Sequence, residues 1–132
     1  MATRHQVRQS VISLLYALEM NEKNENFIDD YLNEKKIRNE QKNFTLNLYK
    51  GVFQNISNID EILNSCLKEN EIMKLGCIER AILRLGAYEL LYTDTASAIV
   101  INEAIELAKE LANDNSPKFI NGVLDALIKA KK

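Results

Sequence analysis

Between Glu40 and Cys66 the apolar residues Phe44, Leu48, Val52, Ile56, Ile59, Leu63 and Cys66 recur at steps of three and four. At about 100° per residue they stay within one sector of a helical wheel, so this stretch can bury a face only as a helix. The unbroken phase predicts one long helix running through Asn55 and Asn58, with a separate helix capped by Asn58 and Glu61 as the alternative. The same period governs the first helix. It begins near Arg4, behind a capping box of Thr3 and Gln6, and buries Val7, Val11, Leu14, Leu15 and Leu18, while His5, Gln9, Ile12 and Tyr16 turn the other way. A polar break at 21–26 leads to a short helix marked by Phe27, Ile28, Tyr31 and Leu32.

Beyond a joint at residues 69–76, the segment Ile78 to Tyr92 is apolar on two sides, Ile78, Ile82 and Leu85 facing away from Leu83, Ala87 and Leu90. Such a helix belongs at the centre of a fold. After a loop at 93–97, Ile101, Ala104, Ile105, Ala108 and Ala112 form an inner stripe, with Glu103, Glu106 and Glu110 as a solvated outer face. Ser116 as N-cap and Pro117 at the first helical position open the last helix, which buries Ile120, Val123, Leu124, Leu127 and Ile128. No stretch alternates with a strand period long enough to compete. The expectation is therefore an all-α chain of about six or seven helices, forming one domain over 1–132.

Several function classes leave no trace. A single histidine and two distant cysteines, Cys66 and Cys77, cannot assemble a zinc set, and both thiols read as buried. The four glycines stand isolated within helical patterns rather than in a phosphate-cradling loop. No nucleophile with its base and no carboxylate pair is apparent, so neither an enzyme nor a cofactor is expected. Apolar runs fall short of a membrane span and no signal segment opens the chain, which predicts a cytoplasmic protein.

The net charge of −2 argues against a general nucleic-acid binder, yet it is unevenly distributed. Arg4, His5 and Arg8 precede any acidic residue, and Lys129, Lys131 and Lys132 follow the last one. Cations in the first turn of a helix oppose its dipole, a small local cost that suggests an anionic ligand; solvent screening is the equal alternative. In the last helix Phe119 falls to one side of the stripe, beside Lys118 and the free amides of the first turn. Cation, amides and ring together suit single-stranded RNA, whose phosphates take cations and whose unstacked bases take aromatic faces. A ring covering a neighbouring helix, with a solvated lysine, stays open as the plainer reading. Tyr16 is either a stacking ring or a packing residue. Glu89, on a buried stripe, needs a structural donor such as a hydroxyl or a helix start. Glu79 and Arg84 suit the rim of a protein interface.

Three stretches together resemble one family. "AIVINEAIELAKELA" (98–112) followed by "SPKFINGVLDAL" (116–127) is similar to the C-terminal signature of the NusB transcription antitermination factors, "IERAILRLGAYEL" (78–90) to their central helix, and "RHQVRQSVISLLYALE" (4–19) to their N-terminal RNA-binding helix. The resemblance spans essentially the whole chain. It implies an all-helical NusB-like fold of two small packed bundles without catalysis. It further implies binding to the boxA element of ribosomal RNA transcripts together with the small-subunit ribosomal protein that acts as NusE, then loading onto RNA polymerase with the other Nus factors. Carried over by position, RNA contacts fall on Arg4, His5, Arg8, Tyr16, Lys118 and Phe119, and partner contacts on Glu79 and Arg84, outside the core. A homodimer hiding the basic helix is left open. The sequence departs from the family in having only Arg4 and Arg8 where an arginine cluster is common, and in Asn115 and Pro117. An RNA-independent helical scaffold and an accessory domain of an RNA methyltransferase are the competing readings.

Overall fold

A computed structural model describes residues 3–20, 27–68 and 70–131. Seven α-helices make up the described chain, without strands: α1 (Arg4–Glu19), α2 (Phe27–Glu34), α3 (Glu40–Gln54), α4 (Ile56–Cys66), α5 (Cys77–Tyr92), α6 (Ser97–Leu111) and α7 (Ser116–Lys131), with one 3-10 turn, Ile72–Lys74, before α5. The polar break at 21–26 lies outside the described residues. Among those residues no helix is long and apolar enough to cross a membrane, and no group of side chains could hold a metal ion.

The capping box forms as the sequence suggests. Gln6 N donates to the Thr3 hydroxyl at 3.1 Å, and Thr3 N donates to Gln6 Oε1 at 2.8 Å, so two free amides at the start of α1 are satisfied reciprocally. The face of α1 is wider than the heptad pattern indicates, for Ile12 is buried beside Val11 and Leu15. Ile12 does not turn outward with Tyr16, because a second layer of helices covers that flank.

The long helix predicted over 40–66 is two helices meeting at Asn55. Its backbone leaves helical geometry (φ −111°, ψ 15°), and its side-chain amide donates to the Gly51 carbonyl at 2.8 Å in competition with the helical ladder. Asn58 caps nothing; its amide donates to the Tyr92 hydroxyl. The apolar stripe stays in phase across the bend, which is why periodicity alone does not mark it.

Helix α5 is central, with ten of its 16 residues buried, and packs against α1, α3, α4, α6 and α7. On one side of it lie α1 and α3; on the other lies the α6–α7 hairpin, with α4 reaching α7. One contiguous core joins Val11, Leu15, Leu48, Val52, Ile82, Leu85, Leu107, Ile120 and Leu124. In α6 the inner stripe is rotated toward Val100, Ala104, Leu107 and Ala108.

Close approach of α3 to α5 depends on Gly51. A Cβ there would stand 2.2 Å from Tyr88 Cζ, and the Tyr88 ring is held by stacking on Tyr92 with centroids 5.4 Å apart. Gly51→Ala gains about 1 kcal/mol of helix propensity and loses about 1–3 kcal/mol to overpacking, so net destabilisation is expected in denaturant unfolding. In a Tyr88→Leu background the same substitution should become neutral or stabilising. A stabilised Gly51→Ala single variant would refute the clash.

Candidate nucleic-acid interface

Structure α1 first. Arg4 is exposed, its guanidinium carbon 3.9 Å from the centroid of the Phe44 ring on α3. His5 is held between Glu103 and Glu110 of α6, Nδ1 and Nε2 each 2.5 Å from a carboxylate oxygen. Partial burial opposes protonation of His5, but the hydrogen bonds the ring donates to both carboxylates, with their charges, outweigh it and raise the imidazole above its ordinary value. Glu103 and Glu110 are thus partners of α1 and not merely solvated surface.

Arg8 corrects the expectation of a solvent-facing cation. It is 4% exposed, and its guanidinium makes a bidentate pair with Glu89 of α5, Nε to Oε1 at 2.9 Å and Nη2 to Oε2 at 2.8 Å. Glu89, 2% exposed, is the structural acceptor its position on a buried stripe requires, with a guanidinium as donor in place of a hydroxyl or helix start. The dipole penalty in the first two turns of α1 is therefore offset inside the protein, by carboxylates of α5 and α6.

Arg84, expected outside the core, is 6% exposed. It pairs with Asp60 through Nε and Nη2 at 2.9 and 2.7 Å, and its Nη1 donates to Glu19 at 2.8 Å. Arg80 binds the same Glu19 through Nε and Nη2, and its Nη1 donates to the Leu75 carbonyl at 2.8 Å. This network ties α1, α4, α5 and the 3-10 turn together. Tyr16, at 42% exposure, and Met20, at 52%, flank Glu19 in the chain, and Met73, also exposed, accepts through its sulfur from Arg84 at 3.4 Å.

The start of α7 differs from the expected cap. Phe119 N donates to the Asn115 carbonyl, so Asn115 occupies the capping position and Ser116 the first helical one. The Ser116 hydroxyl donates outward to Glu79 Oε2 at 2.8 Å, fixing the α7 entrance to α5. Glu79 therefore belongs to the floor of this entrance. Phe119 is half-buried, one side packed on the core and the other lining shallow grooves. One groove is bordered by Cys66, Lys68, Lys118, Gly122, Asp125 and Lys129, and another by Asn70, Lys74, Gly76, Glu79, Asn113 and Asn115. Lys68, Lys74 and Lys118 are exposed and have no ion-pair partner among the described residues; Lys129 pairs with Asp125 at 3.1 Å. Both cysteines are half-buried rather than enclosed, Cys66 in the groove wall and Cys77 beside Arg80.

Lys68 and Lys74 escaped the sequence reading, since they are remote from Phe119 in the chain and lie where periodicity fails; the end of α4 brings Lys68 to the ring, and the 3-10 turn before α5 brings Lys74. The first turns of α1 and α7 do not line one groove. Arg4 lies on α3 and His5 on α6, whereas Lys118 and Phe119 border α4, the joint and α7. Cationic surface is therefore divided between two places, and Arg8 belongs to neither.

Residues 5–129 match the model of the NusB family. The chain is 80% identical over 132 residues to the transcription antitermination protein NusB of Campylobacter jejuni (strain RM1221), all of both chains being covered. Among solved structures it is similar to T. maritima NusB, at 30% identity and TM-score 0.85, covering 97% of this chain and 92% of that one. It is also similar, at 29% identity and TM-score 0.85 with 96% of each chain covered, to a chain in the crystal structure of antitermination factors NusB and NusE in complex with dsRNA.

Proposed function

We propose that this chain, which belongs to the NusB family, is a cytoplasmic transcription antitermination factor that binds the boxA element of ribosomal RNA transcripts as a single unit over residues 1–132. It does so together with a NusE-type ribosomal protein, and the pair loads onto RNA polymerase with the other Nus factors. Its work is binding, not catalysis. The observation that carries this reading is the open side of the Phe119 ring among Lys68, Lys74 and Lys118 at the start of α7. An unstacked base can lie on the ring while the lysines and first-turn amides take the flanking phosphates. Arg4 supplies cationic surface elsewhere, whereas His5 is held by Glu103 and Glu110 and Arg8 by Glu89, so both act by seating α1. Tyr16 and Met20 beside Glu19, and Met73 against Arg84, give an exposed apolar rim at the Glu19–Arg84 pair. That rim suits the protein partner better than Arg84 itself, and Glu79 reaches either ligand from the α7 entrance.

Fluorescence anisotropy with a boxA oligonucleotide tests the groove. Phe119→Ala should weaken binding by about 1–3 kcal/mol, or roughly 5- to 150-fold, with the salt dependence unchanged, because stacking releases no counterions. Equal affinity of the variant and the wild type would remove the ring from the site.

A further inference from the structure

The loop between α2 and α3 carries a second group of cations. Of five arginines in the chain, four are engaged: Arg8 with Glu89, Arg80 with Glu19, Arg84 with Asp60, and Arg4 over the Phe44 ring. Arg38 alone, among the described residues, has no side-chain hydrogen bond, ion pair or ring contact, and its neighbour Lys36 has none either. Both are exposed, and they flank Ile37, which is 1% exposed and whose amide donates to the Leu32 carbonyl at 2.9 Å. The buried isoleucine acts as a peg. With Ile37 sunk into the core at the end of α2, Lys36 and Arg38 on either side of it are left exposed.

The backbone holds this arrangement at a cost. Lys36, with φ of 59°, closes the end of α2, its amide donating to the Asn33 carbonyl, whereas Asn39, with φ of 59° and ψ of −128°, lies outside the left-handed helical well. Strain of this kind persists only where the surroundings over-determine it. Lys36, Arg38, Asn39, Glu40 and Gln41 line an open hollow at the start of α3. Phe44, under Arg4, follows Glu40 by one helical turn, about 6 Å along the axis, so Arg4 extends the same cationic edge. The other charges nearby are Glu34 at the end of α2, Glu40 in the hollow, Lys42 paired with Asp29 at 3.2 Å, and Lys35 over the Tyr31 ring. Cations outnumber anions, and those without a partner face solvent.

We infer that the α2–α3 loop, through Lys36 and Arg38 with Arg4 beside them, is a second RNA-backbone contact, separate from the α7 groove and reading phosphates rather than bases. This rests on the RNA-binding reading above. Nothing aromatic in the hollow offers a free face for stacking, so the contact is independent of base identity, and it engages a strand long enough to leave the Phe119 groove.

The test measures affinity of the full chain for a labelled single-stranded boxA oligonucleotide across a salt series. Each phosphate contact contributes a slope of about 0.7 in log affinity against log salt, so Lys36→Gln with Arg38→Gln should lower the slope by about 1.4. That corresponds to roughly 25-fold weaker binding at about 0.1 M salt, converging on the wild type near 1 M. Arg38→Lys, which keeps the charge, should retain the slope. Oligonucleotides trimmed to the few nucleotides that the α7 groove can hold should bind the double variant and the wild type alike. If the wild type and Phe119→Ala behave as the α7 reading requires while the double variant matches the wild type in affinity and slope, the second contact is overturned and the first stands. If the wild type retains no RNA at any salt, both fall together.

Discussion

Arg8→Ala is expected to lower the free energy of unfolding by about 3–5 kcal/mol, a decrease of roughly 10–20 °C in Tm for a chain of this size. The side chains of Arg8 and Glu89 are 5% and 3% exposed, so removing the guanidinium strands a carboxylate between α1 and α5 where water cannot reach it. His5, three residues before Arg8, cannot replace it, because its ring is already held by Glu103 and Glu110 of α6. The loss belongs to the stranded charge rather than to the pair, because exchanging a buried pair for apolar groups of similar volume is often neutral. Arg8→Met with Glu89→Leu should accordingly recover most of the stability. Urea unfolding of the wild type, the single variant and the double variant decides the matter; a single variant as stable as the wild type would show that the pair contributes nothing to the fold. Arg8→Ala will also weaken RNA binding through α1, so RNA affinity alone cannot assign Arg8 to the interface. A double variant that binds RNA normally would place it in the structural role.

Glu19→Gln comes next, with an expected loss of about 3 kcal/mol at neutral pH. Its carboxylate is the shared acceptor of Arg80 and Arg84, whose side chains are 9% and 8% exposed, and it joins the C-terminal turn of α1 to α5. The hydrogen bonds from Arg80 hold Glu19 below its ordinary carboxyl range, against the partial burial that pushes it up, with a further lowering from Cys77 and the arginine charges. A carboxyl depressed in the folded state contributes stability that is fully present above the unfolded value of 4.5 and lost as pH falls through the lower folded value. The stability gap between wild type and Glu19→Gln should therefore be constant near neutrality and shrink in acid, below about pH 4.5. A gap that widened on acidification would contradict the assignment of Glu19 as the ionised partner.

These two networks mark where sequence reasoning stopped. Helical periodicity identifies the helices and most of the core, because burial of a face at 3.6-residue spacing is a local signal: the capping box of α1 and the two-sided α5 follow from it directly. Ion pairs are not local. Arg8 and Glu89 are separated by 81 positions and Arg84 and Glu19 by 65, so Arg8 and Arg84 read alone suggest a ligand or a partner, and Glu89 shows its need of a donor but not which one. The same limit hid Lys68 and Lys74 from the groove, whereas Lys36 and Arg38 are local to their hollow but lie in a loop without a helical period. Phe119 was legible because its departure from the apolar stripe and its neighbour Lys118 sit within one turn. Asn55 was not, since a bend that keeps the stripe in phase leaves the pattern intact.

That bend has a lever-like outcome. Eleven residues of α4 extend about 16 Å beyond Asn55, and tilting a rod of that length by even 20° swings its tip by about 6 Å. The tip carries Cys66 and, just past it, Lys68 to the edge of Phe119. The width of the channel beside that ring is thus set from its far pivot, by an asparagine that never touches whatever enters it.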